Sequence, residues 1–156
     1  MMASALHTFR HWAMMPAAAV CLAFCTACGI EPCRVAMDDV DSSSWDDTVT
    51  VTYENADTAA LYDLSVVLHV VPAFKSEQLP LSIEILSPDS MRLTEDVTLA
   101  TTAADAPPTS YGKDMEAPYR RSVRLHSKGC YTISLTPREP VAGVEAAGVT
   151  FQPVTQ

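Results

Sequence analysis

The chain has 156 residues, with 10 Lys and Arg against 19 Asp and Glu and a formal net charge of −9. Only Arg10 among the basic residues precedes Cys28, and all 19 acids follow it, so the part from Cys28 onward carries nine positive against nineteen negative side chains, a balance of −10. Such a surface repels phosphate backbones and anionic lipid, which excludes nucleic acid as a partner and requires any membrane link to come from an anchor.

Residues 1–27 read as a bacterial lipoprotein signal peptide. His7, Arg10 and His11 lead into an apolar stretch from Trp12 to Phe24, which ends at Cys25-Thr26-Ala27-Cys28. The stretch is of signal-core length and holds Pro16; a membrane-spanning helix needs about 20 apolar residues, and an interior proline weakens it further. Thr26 and Ala27 are small enough for a signal peptidase pocket, whereas Cys21 and Cys25 follow the bulky Val20 and Phe24. The expectation is a mature chain that begins at Cys28 and is held at a membrane by acyl chains of the palmitate kind, with plain secretion as the alternative. Cys33 and Cys130 then remain in an oxidising compartment. A bridge between them would close a long loop, contributing roughly 4 kcal/mol by chain entropy; the alternative is two unpaired thiols.

Residues 28–44 read as an acidic tether, because Asp38, Asp39, Asp41 and Ser42-Ser43-Ser44 offer little to bury. From Trp45 the pattern changes to alternation, and residues 45–156 are expected to form one domain. Val49, Val51 and Tyr53 alternate with threonines; Leu64, Val66, Leu68 and Val70 follow, then Leu81, Ile83 and Ile85. Val97 and Leu99 flank Thr98, Val123 and Leu125 flank Arg124, Tyr131, Ile133 and Leu135 alternate with Thr132 and Ser134, and Val149 and Phe151 flank Thr150. A period of two rich in β-branched residues predicts half-buried strands. Turn-forming groups separate them, among them Glu54-Asn55-Ala56-Asp57, Ser87-Pro88-Asp89-Ser90 and Ser127-Lys128-Gly129. No window sustains a helical period. These features predict an all-β fold, an antiparallel β-sandwich of about seven to eight strands, Ig-like or jelly-roll-like. Thr101 to Tyr119, with Pro107, Pro108, Gly112 and Pro118, has no clear pattern and is expected to be an exposed loop.

Little in the chain points to catalysis. Past Cys28 the histidines are His69 and His126, and there is no Gly-x-Ser-x-Gly elbow. A metal site is not expected, since His69, His126, Cys33 and Cys130 lack ligand spacing. The acids from Asp38 to Asp47 lack the mid-loop glycine and closing glutamate of a calcium loop. No cofactor is implied. The basic run Arg120, Arg121, Arg124 and Lys128 stands out in so acidic a chain. It is either a solvated strand face or a docking patch for an acidic partner. Tyr111 and Tyr119 are the aromatic pair that could form a glycan platform.

From Trp45 onward the order of the pieces resembles the GldH family of gliding-motility lipoproteins of the Bacteroidetes. The matching stations are Trp45-Asp46-Asp47, Tyr62-x-Leu64-x-Val66-x-Leu68, Pro72-x-Phe74 leading to Leu79-x-Leu81-x-Ile83, Ser87-Pro88-Asp89-Ser90 before Asp96-Val97-Thr98-Leu99, Gly129-Cys130-Tyr131-Thr132-Ile133, and Pro140-Val141-x-Gly143-Val144-x-x-x-Gly148-Val149. Where the family carries a Trp/Gly-rich middle segment this chain has Ser110-Tyr111-Gly112-Lys113-Asp114, and His69 stands where an arginine is usual. The resemblance implies an accessory lipoprotein of gliding or envelope-secretion machinery without enzyme activity, with envelope proteins as partners. The alternative is a carbohydrate- or ligand-binding surface lipoprotein. Gly29-Ile30-Glu31-Pro32 is a poor match to the acidic cluster that follows the lipid cysteine in surface-exposed lipoproteins, which points to an outer-membrane location facing the periplasm.

Overall fold

A computed structural model describes residues 34–101 and 112–154. They lie in one unit, Glu31–Gln156, and contain eight strands: β1 (Arg34–Asp39), β2 (Val49–Asn55), β3 (Leu61–Val70), β4 (Gln78–Leu86), β5 (Arg92–Ala100), β6 (Lys113–Arg124), β7 (Gly129–Pro137) and β8 (Val144–Pro153). Two four-stranded sheets face each other, in the orders β1-β8-β3-β6 and β2-β7-β4-β5. All pairings are antiparallel: β1 with β8, β2 with β7, β3 with β6 and β4 with β5, joined into sheets by β3–β8 and β4–β7. First therefore pairs with last, second with seventh, and so inward. That nesting is one long hairpin folded over on itself, the topology of a jelly roll. Of the two sandwich types the alternation allows, the described strands follow this one.

The alternation explains why these segments are strands. Along β2 burial switches at every residue, with Val49, Val51, Tyr53 and Asn55 inward and Thr50, Thr52 and Glu54 outward. On the outer face of that sheet, hydroxyls pair across strands, Thr48 with Thr136 at 2.8 Å and Thr50 with Ser134 at 3.1 Å. Inside, Tyr53 of β2 stacks on Phe151 of β8 at 3.9 Å between ring centroids, and Tyr62 of β3 meets both edge-on at 5.9 and 6.5 Å. This trio joins the two sheets, and ring pairs of this kind contribute about 0.5–1.5 kcal/mol beyond their area burial. Trp45, 1 % exposed, caps the core between strands: it exchanges backbone bonds with Val141 and its indole N–H donates to Asp47 O at 2.8 Å.

Two segments differ from expectation. Residues 34–39 are not a solvated tether but an edge strand, paired in register from Arg34↔Phe151 to Asp39↔Ala146. Its side chains stay largely in water, Val35 and Asp38 included, so nothing in its composition marks it as buried. What holds it is main chain, and Gly148 makes room: a Cβ there would lie 1.9 Å from Ala36 O. The stretch expected as a loop to Tyr119 becomes strand from Lys113. Met115 and Ala117 point inward there, but an alanine and an intervening Pro118 make a weak pattern. Because β6 is an edge strand bonded on one side only, the missing N–H of Pro118 is tolerated.

Candidate functional site

The two sheets part where β5 and β6, both edge strands, face each other. Along β6 the pairing with β3 is irregular: the three steps from Tyr62 to Ser65 are matched by five from Pro118 to Val123. The surplus residues bulge outward. Ser122 takes a left-handed φ of 52° at the crest, and its N–H donates to Asp63 Oδ1 at 2.8 Å. A non-glycine residue in that region is strained and needs such support, and bulges of this kind re-aim neighbouring side chains.

Here they aim Arg120 across the gap. Its guanidinium forks onto Glu95 of β5, Nη2 to Oε2 at 2.6 Å and Nε to Oε1 at 3.2 Å. The Tyr119 hydroxyl donates to the same carboxylate, and Arg120 sits over the Tyr119 ring at 5.4 Å. The bonds from Arg120 and then Tyr119 hold the Glu95 carboxyl below its usual range. Partial burial, reinforced by the bond to Glu95, pushes the Tyr119 phenol up to about 12. This latch closes the middle of the open edge.

Beyond the latch the gap widens into a cleft of about 400 Å³. Its floor is core: Leu64, Ile133 and Phe151 are each 2 % exposed. Its walls are Leu93 and Met91 from the β5 side and Val123 and Leu125 from the β6 side. Met91 and Leu93 are 71 % and 44 % exposed, an unusual outlay of apolar surface at one place. The far end is tied by two turns. Asp89, in the β4–β5 turn, accepts from Ser87 Oγ, from Ser127 Oγ at 2.9 Å and from Met91 N–H at 3.4 Å. These bonds, that from Ser87 first, lower its pKa. The buried Asn55 amide donates to Leu125 O at 3.0 Å and Ser127 O at 2.9 Å, and the Ser127 N–H donates to Tyr131 Oη at 3.1 Å. Thus Asn55, which reads as a turn former in sequence, is an interior peg for the cleft wall.

Arg92, Arg120, Arg124 and His126 line the mouth. Arg92 is engaged by Glu84 Oε2 at 2.9 Å and Arg120 by Glu95. The Arg124 side chain has no ion-pair or hydrogen-bond partner among the described residues, its main chain being paired with Leu61 of β3. The arrangement offers an apolar slot with a free guanidinium at its opening.

Of the residues singled out in sequence, the fold brings Tyr119, Arg120 and Arg124 to this edge; Arg121 is exposed on the bulge and does not line the cleft. Tyr119 is half-buried and occupied by Glu95 and Arg120, so it presents no free ring platform, and Tyr111 lies outside the described residues. Cys28 and Cys33 also lie outside them; Cys130 is exposed on β7, opposite Glu54 in register. His69 forms a cross-strand bond, Nδ1 to Asp114 Oδ1 at 2.7 Å, with Glu145 at 3.8 Å on its other nitrogen. Among the described residues no group of three or more His, Cys, Asp or Glu could hold a metal ion. Sequence reasoning missed Glu95, Asp63, Ser122 and the Met91–Leu93 wall. The alternation of Leu93 with Val97 and Leu99 was the signal available for the wall. No protein-family model matches the chain, and no curated protein matches it.

Proposed function

We propose that this protein is a lipid-anchored, non-catalytic binding module of the bacterial cell envelope. It is held through Cys28 at the outer membrane on the periplasmic side, and it serves as an accessory or assembly component like the gliding-motility lipoproteins it resembles. The observation that supports this reading best is the concentration of cations around an apolar cleft, Arg92, Arg120 and Arg124, in a chain whose balance is strongly acidic. Glu84 and Glu95 hold Arg92 and Arg120, so it is the exposed Arg124 side chain beside uncovered apolar side chains that favours a partner with acidic and apolar character, and charge complementarity of this kind sets specificity and encounter rate. Crosslinking in cells, followed by pull-down of the wild type and of Arg124→Glu, tests the reading. Envelope proteins should be recovered with the wild type and depleted in the variant; a wild-type chain recovered alone refutes it. Mass spectrometry of the mature amino terminus tests the anchor, where an unmodified Cys28 refutes that part.

The alternative, a ligand-binding lipoprotein, is favoured by one specific observation, the depth of the cleft. It reaches Leu64, Ile133 and Phe151 of the core instead of remaining a surface groove. Concave apolar sites with few polar groups at the rim are the usual form of small-molecule pockets. The glycan version of that alternative has no free aromatic platform among the described residues to support it.

A further inference from the structure

We propose that the cleft between β5 and β6 binds one single-chain amphiphile with a carboxylate head, a ligand of the fatty-acid type, its alkyl chain between the sheets and its head at Arg124. This rests on the ligand-binding reading above and gives it a chemical class. Four observations carry it. First, the volume of about 400 Å³ lies near the lower end of the roughly 300–1,000 Å³ typical of small-molecule sites, which suits one slender chain. Second, the floor is made of core side chains without a charged group, so what enters must be apolar along its length.

Third, the Glu95–Arg120 pair spans the open edge. An alkyl chain entering beyond it leaves that pair in place. Fourth, the Arg124 side chain stands at the mouth with no partner among the described residues, while the neighbouring cations are engaged. A guanidinium left free beside an apolar slot matches a carboxylate, which it can bind with two parallel hydrogen bonds. The acid on the far side, Asp89, already accepts from Ser87, Ser127 and Met91 and faces that end, away from the latch. An alkyl chain would also cover Met91 and Leu93, which water now meets.

The test is calorimetric titration of palmitate into the full chain carrying Cys28→Ser, which has no acyl group of its own on the reading above. Saturable one-to-one binding is expected. Arg124→Glu should weaken it roughly tenfold or more, given the strength of hydrogen bonds between charged groups, and Arg124→Lys should retain much of it. Leu93→Glu should abolish it, and Arg121→Glu, on the bulge outside the cleft, should leave it unchanged. Leu93, Arg121 and Arg124 are all exposed, and circular dichroism verifies that each variant keeps the fold. The methyl ester of palmitate and octanoate should each bind more weakly, for want of head charge and of chain length. No palmitate binding overturns the proposal, as does binding that ignores Arg124→Glu or equal affinity for the methyl ester. Capture of phosphatidylglycerol vesicles without palmitate binding assigns the cleft to a bilayer surface instead, and binding of an acidic apolar peptide alone assigns it to a protein segment; both refute it. Because the titration uses neither the anchor nor envelope partners, its failure leaves the accessory role standing, and an empty pull-down leaves the palmitate result standing.

Discussion

Replacing Gly148 by alanine should detach β1 from the sandwich while leaving the core in place. The added Cβ would stand 1.9 Å from Ala36 O and 2.6 Å from Met37 Cα, both backbone atoms, whereas real Cβ contacts do not fall below 3.0 Å. No side chain can rotate to relieve this, so β1 must retreat from β8 by about 1 Å. A main-chain bond near 2.9 Å then stretches well past the range of a hydrogen bond. Losing two such bonds at a net ~0.5–1.5 kcal/mol each gives a destabilisation of about 1–3 kcal/mol. For a domain of this size that lowers Tm by roughly 5–15 °C. Hydrogen exchange read by mass spectrometry separates local from global loss. Amides of Val35 to Asp39 should lose protection, and those of β3 and β7 should keep theirs. If Gly148→Ala melts like the wild type with β1 still protected, the claim that main-chain proximity to β8 holds this strand is wrong.

Three further outcomes follow from the latch and the peg. Glu95 has its carboxyl pKa depressed below 4.5 by Arg120 and Tyr119; its contribution is therefore complete above that value and lost as pH falls through the lower, folded value. Between about pH 5 and pH 3 the wild type should lose stability more steeply than Glu95→Gln, by about 1 kcal/mol or less because the pair is partly solvated; equal slopes in urea melts would refute the link. Tyr119 has its pKa raised from 10.0 to about 12, so its contribution is full below pH 10 and fades as pH rises towards 12. Near-ultraviolet difference absorbance should show a late-ionising phenol that disappears in Tyr119→Phe. Asn55→Ala leaves the carbonyls of Leu125 and Ser127 without their shared donor, at a cost of about 2–3 kcal/mol in denaturant unfolding; a loss under 0.5 kcal/mol on that scale would show that water replaces the amide.

Much of the architecture is legible because side chains in strands alternate strictly. Val49-x-Val51-x-Tyr53 and Tyr131-x-Ile133-x-Leu135 each bury one face, and the fold puts them side by side in register, Val51 opposite Ile133 and Tyr53 opposite Tyr131. Ser87-Pro88-Asp89-Ser90 announces a tight turn, and the Ser90 N–H closes it on Ser87 O at 2.9 Å. β1 and the first half of β6 are illegible because neither carries a run of large apolar residues at every second position. β1 buries no side chain fully and is held by main chain, and the inward residues of β6, Met115 and Ala117, are a short pair set among charged residues and Pro118. The arginines at 120 and 124 could be picked out by their sign against an acidic background, but Glu95 could not. Twenty-five positions separate it from Arg120, and only the approach of two edge strands makes them partners.

Composition and period alone were enough to decide that this chain builds antiparallel strands around one apolar interior, because hydrophobic residues at every second position have a single way to leave water together. Which strands become neighbours, and where the sheets fail to close, was decided only in three dimensions. Nesting first against last leaves β5 and β6 as facing edges, and a bulge of surplus residues between them throws Arg120 onto Glu95 and leaves the Arg124 side chain unpaired over core side chains. A long-range pairing depends on the packing of the whole chain, and no local run of residues records it.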